Sequence, residues 1–136
     1  MQFMMIVKAT AESEAGVMPK AEQILEMQKY NEGLVKAGVL LAGEGVHSSA
    51  KGARVYFDGD KKTVVDGPFT ETKELIAGFW MIQAKSLEEA IEWAKRAPMS
   101  DNEMIEVRQV QEMEDFPPDV QKAAEGFADL QASTRR

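Results

Sequence analysis

Apolar and polar positions follow two rhythms along this chain, and each rhythm predicts an element. Gln2 to Thr10 is short, apolar and ended by polar residues, which predicts a first strand. Ala11 to Met18 reads as a connection, and Pro19 sits where an N1 proline opens a helix. Beyond it Ile24, Met27, Asn31, Leu34 and Val35 share one helical face, with Glu22, Glu26, Lys29 and Lys36 opposite. Tyr30 falls at the border of that face, and Ala37-Gly38 supplies the stop. Val39 to Ala42 predicts a second strand, and Gly43-Glu44-Gly45 a bend or bulge leading into a loop that carries His47.

The middle of the chain reads as a hairpin. Ala53 to Phe57 alternates, Val55 and Phe57 against Arg54 and Tyr56, and Asp58 to Lys61 is a turn from which Lys62 to Asp66 returns. Asp66-Gly67-Pro68-Phe69 ends that pair abruptly, because Pro68 lacks an N–H and restricts Gly67. Thr70 to Ile76 is a charged connector with room for one helical turn. Gly78 to Ala84 is the clearest buried-strand signal, with Phe79, Trp80, Met81 and Ile82 in a row. Ser86 and Glu89 form a capping-box pattern for a helix that stacks Leu87, Ala90, Ile91 and Ala94 and ends before Pro98. Glu103 to Val110 predicts a last strand with Ile105 and Val107 facing the core. Pro117-Pro118 then sets off a C-terminal helix, Asp119 to Leu130.

The order β-α-β, hairpin, β-α-β predicts an α+β protein of the ferredoxin-like, split βαβ class with an inserted β-hairpin. Both main helices are apolar on one side only, so they should cover one face of an antiparallel sheet. The other face would carry Trp80 or Phe79, and a second copy is the natural cover, giving a homodimeric α/β barrel. Residues 1–116 form the predicted domain and residues 117–136 a helical arm.

Composition narrows the chemistry. At 136 residues and 15.1 kDa, 44% hydrophobic and 29% charged, the chain fits one globular domain. It has no Cys and one His, which excludes a disulfide framework, thiolate metal sites, a Cys nucleophile and an all-histidine zinc site within one chain. The net charge of −7 is uneven: residues 1–68 hold 8 Lys/Arg against 9 Asp/Glu, and residues 69–136 hold 8 against 14. No basic stripe offers a phosphate footprint, so direct nucleic-acid binding is not expected. The first residues lack the pattern of a signal peptide, and no apolar run reaches the ~18 residues a membrane span needs. A cytoplasmic protein without a membrane partner is the simplest expectation.

Six residues are candidates for a polar cleft binding a small molecule. Asp66, held at a strand end by Gly-Pro, could serve as acid or base, or instead bond its own turn around Gly67 and Phe69. Asn31 lies in the apolar face of the first helix, where an unpaired amide costs ~1–3 kcal/mol; it would line a pocket or bond a strand end. Tyr30 stands beside it. Glu44 could pair with Asp66 to raise one carboxyl pKa, or be a solvated loop acid. Arg54 could neutralise an anionic ligand, or lie on the surface. His47 could be a base whose tautomer Asp66 fixes, or an exposed loop residue. His47, Glu44 and Asp66 are metal-ligand types without a spacing motif, so neither metal nor cofactor is assigned.

The string Val65-Asp66-Gly67-Pro68-Phe69-Thr70-Glu71-Thr72-Lys73-Glu74 resembles the DGPF-domain branch of the YCII-related family. The resemblance extends through Tyr30-Asn31-Glu32, residues 37–45, Ile76-Ala77-Gly78-Phe79-Trp80, Ala90 to Ala94 and Ile105 to Arg108, covering residues 1 to about 116. It implies a small dimeric α+β barrel with a ferredoxin-like subunit. The family's proposed catalytic pair is a His and an Asp, the His lying in the first helix. That helix here has Gln28, Tyr30, Asn31 and Glu32 and no His. The resemblance also implies a genomic association with sigma-factor-like regulators. Two readings follow: acid/base chemistry on a small organic substrate through Asp66 or His47, or a non-catalytic binding or regulatory module.

Overall fold

The structure is a computed structural model describing residues 1–134. Strand β1 (Gln2–Lys8) leads to a short helix α1 (Ala11–Glu14) and the long helix α2 (Ala21–Lys36). β2 (Leu40–Gly45), the hairpin β3 (Ala53–Asp58) and β4 (Lys61–Asp66), and β5 (Ile76–Gln83) follow. Helix α3 (Leu87–Lys95), β6 (Ile105–Gln109), α4 (Pro118–Ala123) and α5 (Phe127–Thr134) complete the order.

Four strands form one sheet in the order β2-β5-β1-β6, every neighbour antiparallel, and β3 with β4 forms a separate two-stranded sheet. With the hairpin set aside, this is the split βαβ order expected from the sequence. Among the described residues the sheet stays open, with β2 and β6 at its edges. None of the helices there is long and apolar enough to cross a membrane.

The core lies between the sheet and helices α2 and α3. Register places Phe3 opposite Ile82, Met5 opposite Trp80 and Val107, and Val7 opposite Gly78 and Ile105. These residues share the face that meets Tyr30, Leu34 and Ala90. Phe3, Met5, Leu34, Ile82 and Ala90 are fully buried, each large apolar side chain contributing ~1.5–3 kcal/mol. Strand alternation sends Met4, Ile6, Phe79 and Met81 to the opposite face. Trp80 therefore belongs to the helix side, and only Phe79 of the expected pair faces away.

Several expectations change at the helices. α2 begins at Ala21, not Pro19: Lys20 is the extended N-cap, and its N–H donates to Gln23 Oε1 at 2.8 Å. Ala11–Glu14 is helical because Thr10 and Ser13 cap each other. The buried stripe of α2 is Met27, Tyr30, Asn31 and Leu34, a spacing of i, i+3, i+4, i+7, while Ile24 and Val35 are exposed. Tyr30 is buried in that stripe and not at its border. Ser86 caps α3 as expected, accepting from Glu89 N–H at 3.2 Å, but Glu89 returns its carboxylate to Lys85 N–H. The C-terminal helix divides in two at Gly126, whose φ of +90° suits glycine. Residues 135–136 of the predicted arm lie outside the described residues.

Candidate functional site

A cavity of about 340 Å³ opens between the sheet and α2, within the range that holds a small organic ligand. Its floor is β2 and β5, and its roof is Met27 and Asn31 of α2. Three glycines lie on the floor, and at Gly45 the missing side chain leaves open space. Gly45 pairs with Gly78, and Gly43 pairs with Trp80. A methyl on Gly78 would stand 2.8 Å from the Glu44 carbonyl oxygen, and one on Gly43 2.9 Å from Trp80 Cδ1. At Gly45 the nearest atom would be Ala77 O at 3.9 Å, so that position faces open space.

The walls are apolar except at one point. Val7, Leu40 and Trp80 line the space that the side chain of Asn31 enters. The Trp80 indole N–H donates to Asn31 Oδ1 at 2.8 Å, which satisfies both groups in a half-buried setting. Tyr30 lies behind this pair. Its ring meets Trp80 edge-on with centroids 5.2 Å apart, and its hydroxyl donates to the Trp93 carbonyl at 2.7 Å. Tyr30 thus braces Trp80 and is not among the lining residues.

Burial pushes the Tyr30 phenol up from 10.0 to about 12, against the Arg96 guanidinium, which lowers it. The folded chain keeps a proton that the unfolded chain releases above pH 10, so this group's stabilising contribution is lost as pH rises from 10 toward 12. A near-ultraviolet titration of Tyr56→Phe, in which Tyr30 is the remaining tyrosine, should give a phenolate midpoint at about pH 12 while the fold persists. Ionisation at pH 10 without unfolding would contradict that burial.

The structure divides the other candidates. Glu44 borders the cavity, but its pairing with Phe79 sets its side chain on the face away from α2. His47 is exposed in the loop after β2, and Asp66 is exposed at the end of β4 opposite Ala53. Among the described residues no hydrogen bond or ion pair joins His47 to Asp66. Asp66 does not bond its own turn either: Gly67 N–H donates to Gly52 O at 2.9 Å and Phe69 N–H to Ser49 Oγ at 2.8 Å. No three His, Cys, Asp or Glu side chains among the described residues gather as a metal site, so His47, Glu44 and Asp66 do not converge.

The Asp-Gly-Pro-Phe loop is instead the centre of a second constellation. Ser49 N–H donates to Glu14 Oε2 at 2.9 Å, its hydroxyl bonds the other Glu14 oxygen, and it accepts from Phe69. The Arg54 guanidinium lies 3.8 Å from the centroid of the Phe69 ring, a cation–π contact. Gly67-Pro68 is cis. Glu14 and Ser49 carried no signal in the sequence, because their partnership spans 35 positions. The cavity did leave one: Gly43, Gly45 and Gly78 are spaced as a strand floor with its side chains removed.

Comparison with known proteins places these features in a family context. A family model described as the YCII-related domain matches residues 1–114. The chain is similar to an uncharacterised protein of Rhizobium meliloti (strain 1021), 36% identical over 61 residues, which are 45% of this chain and 49% of that one. The match therefore spans about half the length of that relative. Among solved structures, a 5-chloro-2-hydroxyhydroquinone dehydrochlorinase from Burkholderia phenoliruptrix AC1100, in complex with 2,5-dihydroxybenzoquinone, aligns with a TM-score of 0.44 and 15% identity. That alignment covers 84% of this chain and 98% of that one.

Proposed function

We propose that this chain, which belongs to the YCII-related family, binds a small, mostly apolar organic molecule in the cavity beneath α2. The observation that carries the reading is the glycine floor. Gly45 leaves open a space of about 340 Å³ against a single amide and the Trp80 ring, while Gly43 and Gly78 let Trp80 and the β2 backbone pack closely beside it. Glycine is a poor strand residue, so their placement on one floor costs stability and returns a binding volume. The lining departs from the cleft of Asn31, Glu44, His47 and Asp66 expected from the sequence, since His47 and Asp66 lie outside it. Glu44 is the ionisable residue at the cavity's border, but its side chain is set on the opposite face, so the reading is one of binding and assigns no acid/base residue.

The homodimer belongs to the same proposal. Met4, Ile6, Phe79 and Met81 face away from the helices, and Phe57 on the hairpin is 72% exposed. A second copy covering these residues would complete the dimeric α/β barrel. Residues 117–136 are proposed as an arm outside the 1–116 domain.

Gly45→Val tests the cavity. Valine suits a strand, and its side chain would enter the open space at Gly45, with its Cβ in ordinary van der Waals contact with the Ala77 carbonyl at 3.9 Å. The variant should keep the wild-type circular dichroism spectrum and lose the binding of acetophenone, a small neutral ring compound, that titration calorimetry detects for the wild type. Equal binding by both proteins, or binding of neither acetophenone nor a hydrocarbon of the same size by the wild type, would end the reading.

A further inference from the structure

We infer that the cavity selects neutral molecules presenting a hydrogen-bond acceptor, carbonyl compounds above all, because the Trp80 indole fixes which end of the Asn31 amide is left for a ligand. The inference rests on the cavity reading and specifies the chemistry of its occupant.

The reasoning starts with what each group is able to do. An indole N–H only donates. The Trp80 Nε1 to Asn31 Oδ1 contact of 2.8 Å therefore sets the orientation of the amide: its oxygen must face the indole. Tyr30 holds the indole in place from the other side by its edge-on ring contact. The remaining Asn31 functionality is the NH₂ group, with two donors and no protein partner among the described residues. A half-buried donor is satisfied by water or by a ligand. The backbone groups that β2 and β5 turn toward each other are engaged in their ladder, and those on the free edge of β2 lie in the sheet plane, not above the floor. The ligand thus meets a donor and needs an acceptor.

Charge completes the class. No Lys or Arg lines the cavity, and Glu44 is its bordering ionisable residue. A carboxylate or phosphate entering this space would lose hydration with no countercharge to replace it. A carbonyl loses far less and accepts from Asn31.

Three probes of similar size separate the possibilities: acetophenone, its isostere α-methylstyrene, in which a CH₂ replaces the carbonyl oxygen, and benzoate. Wild-type protein should bind the first with benzoate undetected, and the side-chain NH₂ resonances of Asn31 should shift with acetophenone and not with α-methylstyrene. Asn31→Asp keeps an oxygen for the indole and removes the donors. It should lower the preference for acetophenone over α-methylstyrene by about fivefold to tenfold, the ratio for one neutral hydrogen bond. The two hydrocarbon frames are alike, so this ratio is insensitive to general loosening of the cavity. An unchanged ratio in folded Asn31→Asp, Asn31 resonances that respond equally to both probes, or tighter binding of benzoate would overturn the inference while leaving the cavity reading intact. If Asn31→Asp does not fold, the wild-type resonances decide. Absence of binding by every probe would overturn both.

Discussion

Gly67→Ala should destabilise the protein by about 3 kcal/mol or more, read as a fall in the urea midpoint. A Cβ at this position would collide with the Ser49 carbonyl oxygen and stand 2.6 Å from its carbon. Both are backbone atoms, so no rotamer change relieves the overlap. Nor is either segment free to withdraw. Gly67 N–H is bonded to Gly52 O, and Phe69 N–H is bonded to Ser49 Oγ, which Glu14 holds in turn. Gly59→Ala is the matched control. It lies at the hairpin tip with open space around it, but at a φ of +60°, which costs alanine about 1 kcal/mol. A smaller loss at Gly67 than at Gly59 would show that the two loops are not locked together.

Phe3→Ala should cost about 3–5 kcal/mol and Phe57→Ala far less at low protein concentration. Phe3 is fully buried between Ile82 of β5 and Gln109 of β6, beneath the helices. Removing its ring leaves a void that the surrounding strands are unable to close. Phe57 is mostly exposed on the hairpin, and within one chain its ring has little to lose. In a homodimer the two residues would diverge again. The stability of the wild type would rise with concentration, and Phe57→Ala would weaken that dependence if the hairpin takes part in the contact. Denaturation over a hundredfold range of concentration, paired with light scattering, separates the cases. A monomer with concentration-independent stability would remove the dimeric barrel from the proposal.

The elements that could be read from the sequence are those specified by neighbours along the chain. The Ser86 cap, the hairpin turn at Asp58 to Lys61 and the alternation of Val55 and Phe57 all depend on residues within a few positions. Strand order also followed, because two one-sided helices and their flanking strands allow few topologies. The stripe on α2 differs from the expected one at Ile24, Tyr30 and Val35, where helical spacing permits several faces. The partners that choose among them, Trp80 and Trp93, lie 50 and 63 residues beyond Tyr30. The Asp-Gly-Pro-Phe loop was legible as a motif but not as a joint, for its meaning depends on Ser49 and Glu14. His47 and Asp66 stand out by chemical type alone, and the fold leaves both in solvent. Asn31 was chosen for being polar on an apolar stripe, a conflict that points directly to a partner, and it sits in the cavity.

The glycines of β2 also act on what happens between molecules. β2 is an edge strand, and an edge with a regular row of free N–H and C=O groups is a template for adding strands from other chains. Here the register slips between Leu40 and Ala42, Gly43 and Gly45 interrupt the side-chain row, and Glu44 brings a charge between them. Each feature makes the edge a poorer template, since aggregation favours uninterrupted, uncharged strands of high β-propensity. Filling Gly45 with valine would therefore also restore part of an adhesive edge, and solubility should fall with the same substitution that closes the cavity.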